Sequence, residues 1–248
     1  MSGRARWLIF GIGAVALVLL TGCALARMPA FGGMTHLYRD AVVNAALARN
    51  TPNVVSSVNF DLRGLDTFGE EAILLASVLG AAALLRPAED ERRRRPPGAG
   101  RTLQATRAAG YVLLPVTLLV GADVVVHGHL TPGGGFQGGV VLATGLHLVY
   151  VAGSYPALRR VRPVRWYESG EALGMSTVTV LGLAGLALGA GFLGNVLPTG
   201  RFGELLSAGT VPIFSVAIGV TVASGVVVLL AQFLEQDLAT RSRRERAS

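Results

Sequence analysis

From Trp7 to Ala26 the chain carries no charged residue, and the same holds from Leu173 to Asn195 and from Val211 to Leu234. Each run has about the 20 residues that a helix needs to cross a hydrocarbon core. Two further runs are broken once each, Ala108–Val126 by Asp123 and Phe136–Ala157 by His147. A sixth, about Gly64–Leu85, carries Glu70 and Glu71 near its start. Within lipid every backbone polar group must be satisfied inside the protein, and helices satisfy theirs locally. With 51% hydrophobic and 15% charged residues and a mean hydropathy of +0.53, the pattern predicts an all-α polytopic integral membrane protein of about six transmembrane helices.

The stretch His127–Gly139, His-Gly-His-Leu-Thr-Pro-Gly-Gly-Gly-Phe-Gln-Gly-Gly, separates two of these runs. Glycine costs a helix interior roughly 1 kcal/mol relative to alanine, and proline about 3. One helix must therefore end here and another begin near Phe136. Backbone freed from a helix at a membrane must line water or be buried in protein. Six glycines in 13 residues point to a packed, partner-facing or water-lining turn rather than a plain hairpin loop.

Basic residues are retained on the cytoplasmic side of a membrane, and all 22 here are arginine. With the N-terminus inside, Arg4 and Arg6, the loop around Arg92–Arg95, the loop Arg159–Arg165 and the tail Arg241–Arg246 share one side. The other side keeps Arg27, Arg39, Arg49, Arg63 and Arg201. Both termini are thus expected in the cytoplasm. The net charge of +7 reflects this topology and anionic lipid rather than nucleic acid, for which no motif is present.

Leu20-Thr21-Gly22-Cys23 also resembles a bacterial lipoprotein cleavage signal, but an uncleaved helix is the simpler anchor in a chain that crosses many times. As the single cysteine, Cys23 forms no intrachain disulfide and excludes a thiolate metal site. His36–Arg49 reads as a short interfacial helix stopped by Thr51-Pro52, with His36 a solvated surface residue. Residues 86–105, rich in arginine and proline, form a cytoplasmic linker between a two-helix module, 1–85, and a four-helix module, 106–248. Pro115 predicts a kink in the third helix.

Intramembrane acids and histidines are expensive and are the natural ion-pathway candidates. Asp66, Glu70 and Ser77 share one helical face, and Glu70 is the strongest candidate, an interfacial acid being its alternative. Glu71 lies about 100° away and reads as a partner of the helix dipole. Asp123 lies near the outer end of the third helix. Gln137, Thr144 and His147 share a sector of the fourth, and His147 falls near mid-bilayer, where it suits a proton relay or a neutral ring bonded to a neighbouring helix. Gly182, Gly185 and Gly189 suit close helix packing. No nucleophile-base pair, metal-ligand cluster or cofactor motif stands out, so no enzyme activity, metal or cofactor is expected.

The segment from His127 through Gly128, His129, Pro132, Gly133, Gly134, Gly135, Phe136 and Gln137 to Gly138 and Gly139 resembles the motif of the B subunit of multisubunit Na+/H+ antiporters of the Mrp or Mnh type. The likeness extends from about Thr106 to Leu234. Upstream, Asn59–Glu70 resembles the end of the antiporter's large A-type component, and membrane-bound hydrogenases carry this piece as a separate small protein. The resemblance implies a natural fusion of the two, in a hetero-oligomeric complex related to respiratory complex I that exchanges protons for sodium across the bacterial inner membrane. It places Glu70 at the acid of an Asp-Thr-x-Gly-Glu motif on an ion path. The alternative it leaves is a structural subunit of a complex I-like or hydrogenase-type assembly.

Overall fold

The computed structural model describes residues 3–28, 36–85, 103–152 and 164–247. The linker and the arginine clusters at 92–95 and 159–162 fall outside the described residues. Eight α-helices occur among those described: α1 (Gly3–Ala26), α2 (Leu37–Ala48), α3 (Val54–Ser57), α4 (Gly64–Leu84), α5 (Gln104–Val126), α6 (Gly135–Val151), α7 (Val164–Ala187) and α8 (Val211–Ala247). A π-helical turn, π1 (Val58–Leu62), joins α3 to α4. No strand occurs among the described residues. Five helices are long and apolar enough to cross a membrane, namely α1, α4, α5, α7 and Val211–Phe233 of α8; the apolar stretch Gly135–Val149 of α6 is shorter.

The chain divides into two units, residues 1–41 and 42–248. The first contains α1, apolar all round and without a buried residue, the pattern of a helix made to meet lipid. Trp7 and Phe10 meet edge to face on it.

In the second unit the core gathers on α8. Val211, Phe214, Ile218, Val222 and Val227 are each at most 1% exposed, and α8 packs on α4, α5, α6 and α7. Glycine makes this closeness possible. A Cβ at Gly139 of α6 would stand 2.8 Å from the Gly219 carbonyl oxygen of α8, and one at Gly138 would stand 2.8 Å from that of Gly121 on α5. Residues on either side of the 86–105 segment meet in the larger core cluster: Phe60 of π1 stacks on Phe214 of α8 with centroids 5.0 Å apart, and Phe68 of α4 meets Phe192 edge-on at 5.5 Å.

α5 holds Pro115 within its span. One helix differs from the sequence expectation. The fifth span, expected over Leu173–Asn195, is α7, Val164–Ala187. It stops early because Gly189 and Gly191 take positive φ, +76° and +85°, which glycine adopts without steric cost. It starts early because an acid need not end a helix when the surrounding helices bury it. The shift brings Glu168 and Glu171 into the helix.

Candidate functional site

One end of the second unit, here the loop end, is built from three irregular segments. Asn53 caps α3 by accepting from the backbone N–H groups of Val55 and Ser56. Its amide donates to the carbonyl oxygens of Gly128, at 2.7 Å, and Thr131, at 2.8 Å. The Asn50 amide donates to the Gly200 carbonyl, and that of Asn195 to the Ala208 carbonyl at 3.0 Å. The Asp61 carboxylate, its side chain wholly buried, pairs with Arg49. These bonds close the segment 49–63 over the glycine turn and over the loop 188–210.

The turn itself is packed. Gly133 and Gly134 take φ of +146° and +137°, a region that side chains avoid. A Cβ at Gly128 would press on the Gly134 Cα, and one at Gly135 would collide with the Ser215 carbonyl. Pro132 and Gln137 are exposed. His129 is 0% exposed, and neither ring nitrogen has a hydrogen-bond partner among the described residues. Burial pushes its pKa below the usual 6.5 and the charge of His127 adds to this, outweighing the carbonyls of Glu204 and Leu205, which favour the protonated ring.

The candidate ion-pathway residues do not converge in this chain. Asp66 is exposed and pairs with Arg63 in the first turn of α4. Asp123 is exposed and lies 2.9 Å from the His127 ring Nδ1. His147 is half-buried on α6, on the same helix as the exposed Thr144. Glu70 is exposed, as are Asp66 and Ser77. The face that sequence spacing assigned to these three is therefore real, and in the chain alone it points outward.

The buried stripe of α4 is Gly64, Thr67, Glu71 and Val78, spaced by three, four and seven residues. Glu71, expected as a partner of the helix dipole, is instead 2% exposed, because it sits two turns into the helix on the side turned to the core. Its counterpart is Glu171 of α7, 3% exposed. Glu71 lies within the electrostatic reach of Glu171. The Oε2 of Glu71 and the Oε1 of Glu171 are buried without a hydrogen-bond partner among the described residues. A Cβ at Gly225 of α8 would lie 3.1 Å from Glu171 Oε1 and 3.3 Å from Val78, so Glu171 reaches the level of Val78 where α8 has no side chain. A cleft of about 670 Å³ runs beside it, lined by Leu75, Val78, Glu168, Glu171, Met175 and Thr179 among others. A search for uncharged runs misses Glu171; the helical spacing of Glu171, Gly174, Val178, Gly182 and Gly185, all buried, is the signal that would have found it. Among the described residues no group of three or more His, Cys, Asp or Glu side chains is arranged to hold a metal.

Apolar helices around buried, unpaired carboxylates define a polytopic membrane protein with an ionisable interior. Residues 105–228 match the family described as a domain related to the MnhB subunit of Na+/H+ antiporter. An uncharacterised protein of Methanocaldococcus jannaschii is 28% identical over 228 residues, 82% of this chain and 82% of its own length. A probable K+/H+ antiporter A/B subunit of Rhizobium meliloti is 29% identical over 219 residues, 77% of this chain but 21% of that protein. Among solved structures, a chain of an archaeal respiratory membrane complex, the membrane-bound sulfane sulfur reductase, aligns with TM-score 0.71 and 29% identity over 93% of this chain and 98% of its own. A chain of the Mrp complex from Dietzia aligns with TM-score 0.67 and 25% identity over 94% of this chain and 26% of its own. The chain belongs to the MnhB-related family and is a membrane subunit of a multisubunit antiporter-type assembly.

Proposed function

We propose that this chain is a subunit of a cation/proton antiporter complex, that it takes part in ion translocation as well as assembly, and that it performs no enzymatic step. The observation that carries this reading is that the likeness to the Mrp chain spans 94% of the present chain and so includes both α4 and the MnhB-related region. That breadth also supports treating residues 1–85 as an A-like module joined by the 86–105 linker to a B-like module, 106–248. Glu70, with Asp66, faces outward where a neighbouring subunit would complete an ion path, and Asp123 and His147 are the further candidates on α5 and α6.

The arginine distribution supports a bacterial inner membrane location with both termini cytoplasmic, which puts the loop end outside. Cysteines at Gly98 and Thr131 in a Cys23→Ser background should then label from opposite sides; labelling of both from one side would remove an odd number of spans, refute this topology and revive the lipoprotein reading. The function is tested by purifying the tagged chain with its partners and measuring Na+/H+ and K+/H+ exchange in everted vesicles. Exchange that depends on this chain supports the reading, and an assembled complex without exchange refutes it.

A second reading has its own support. The sulfane sulfur reductase chain is matched over 98% of its length, which suits a membrane subunit of a respiratory assembly that only holds its neighbours together. Copurification with redox subunits rather than antiporter-type large subunits would favour it.

A further inference from the structure

The buried acids of α4 and α7 stand at successive depths. Glu71 is seven residues from Val78 along α4, an axial separation of about 10 Å. Glu171 lies at the level of Val78, as the shared neighbour Gly225 fixes. Glu168 is three residues nearer the opposite end of α7 and is exposed, while Glu70 is exposed on α4 towards the loop end. The four carboxylates therefore span roughly 16 Å of the bundle's depth, exposed at each end and buried in the middle.

Two negative charges cannot both persist unpaired in so apolar a place, because desolvation and mutual repulsion are each worth several kcal/mol. Something positive must neutralise them. The cleft beside Glu171 is lined mainly by hydrocarbon, with polar groups too sparse for the several oxygen ligands a hard metal cation takes. The Thr179 hydroxyl is already committed to the Met175 carbonyl at 2.9 Å. A proton needs only one carboxylate oxygen. The cleft, at about 670 Å³, is also large enough to hold water against Glu168 and Glu171, the two acids that line it. On α8, Gly225 and Val228 are the residues facing this seam, and neither titrates, so the charged groups bearing on it among the described residues are Glu70 and Glu168.

We propose that Glu168, Glu171 and Glu71 form a stepwise proton relay along the seam between α4 and α7, opening to the outward-facing Glu70 at the loop end and joining the two sequence modules into one path. Each step moves a proton from a carboxylic acid to the next carboxylate through water, leaving the first as the anion and the second as the acid. The relay rests on the antiporter reading above. It adds that the path crosses from the A-like to the B-like module, with Glu171 as the step that makes the crossing.

The test uses the intact complex. Glu171→Gln and Glu71→Gln should each assemble and each lower exchange in everted vesicles more than tenfold, and the double variant should be no worse than either. Exchange within twofold of wild type in either assembled single variant overturns the relay while leaving the antiporter reading intact. A wild-type complex without exchange overturns the antiporter reading instead. The relay is then read from dicyclohexylcarbodiimide, which adds to a protonated carboxyl in apolar surroundings and rearranges to a stable N-acylurea. Both Glu71 and Glu171 of the wild-type complex should be modified, as peptide mass spectrometry reads, including where a variant fails to assemble. Absence of label at either residue overturns the relay, and protection by Na+ or K+ overturns the assignment to protons.

Discussion

The side-chain amide of Asn53 donates a hydrogen bond of 2.7 Å to the carbonyl oxygen of Gly128, 75 residues further along the chain. With its second bond, to Thr131, it ties the segment 49–63 to the glycine turn, while its oxygen caps α3. An N-cap contributes about 1 kcal/mol, and each of the two bonds contributes about 1 more. Asn53→Ala should therefore destabilise the unit by about 2–3 kcal/mol. Asn53→Ser, which keeps a capping oxygen but loses both donors, should recover about a third of that loss. Thermal unfolding of the purified complex in detergent measures both.

Gly139 faces the α8 backbone, and a Cβ there would lie 2.8 Å from the Gly219 carbonyl. Gly139→Leu should leave membrane insertion unchanged, because the apolar spans persist, while it forces α6 from α8 and reduces recovery of the assembled complex severalfold. Membrane fractionation set against copurification separates the two effects.

The Arg49–Asp61 pair predicts an asymmetry. The Asp61 side chain is 0% exposed and that of Arg49 is 42% exposed. Removing the arginine strands a buried charge, which costs about 3–5 kcal/mol in comparable pairs. Asp61→Asn removes the charge itself and keeps an acceptor for Asn195. Arg49→Ala should be the more damaging of the two, by at least about 1 kcal/mol, as denaturation midpoints will show.

Buried acids without partners burden a fold. Replacing such groups with apolar side chains of similar size is often stabilising by roughly 1–4 kcal/mol. Glu71→Leu should therefore raise the unfolding temperature of the complex while abolishing exchange. A fall in both would mean that the carboxylate holds a structural contact.

His129 makes the loop end sensitive to acid. Its pKa is lowered by burial from 6.5, so between that value and the folded one the unfolded chain binds more protons. Stability is then fully present above about pH 6.5 and falls as the pH drops through the window beneath it. Amide hydrogen exchange in residues 127–135 should quicken as the pH is lowered through that window, once corrected for the intrinsic rate, and His129→Leu should remove the dependence.

Much of the fold is legible in the sequence because a bilayer imposes few choices. Apolar length alone places α1, α4 and the spanning part of α8, and the glycine density at 133–139 marks the packed turn. The legibility fails where tertiary burial overrides composition. Helical spacing sorts α4 correctly into a face with Asp66, Glu70 and Ser77 and a face with Thr67, Glu71 and Val78. It carries no information about which face meets α8, and the more polar stripe is not the buried one. α7 is misplaced for a related reason: Glu171 reads as a boundary by charge, yet lies inside the helix because α8 offers it Gly225. A chain that depends on neighbouring subunits also cannot reveal, from its own residues, which of its outward acids those neighbours cover.

The stacking of Phe60 on Phe214 ties residues on either side of the 86–105 segment into one hydrophobic core, most of which lies in the later part of the chain. Their union is thus a matter of packing before it is one of covalent sequence. A gene broken between α4 and α5, or two genes joined there, would encode the same buried surface.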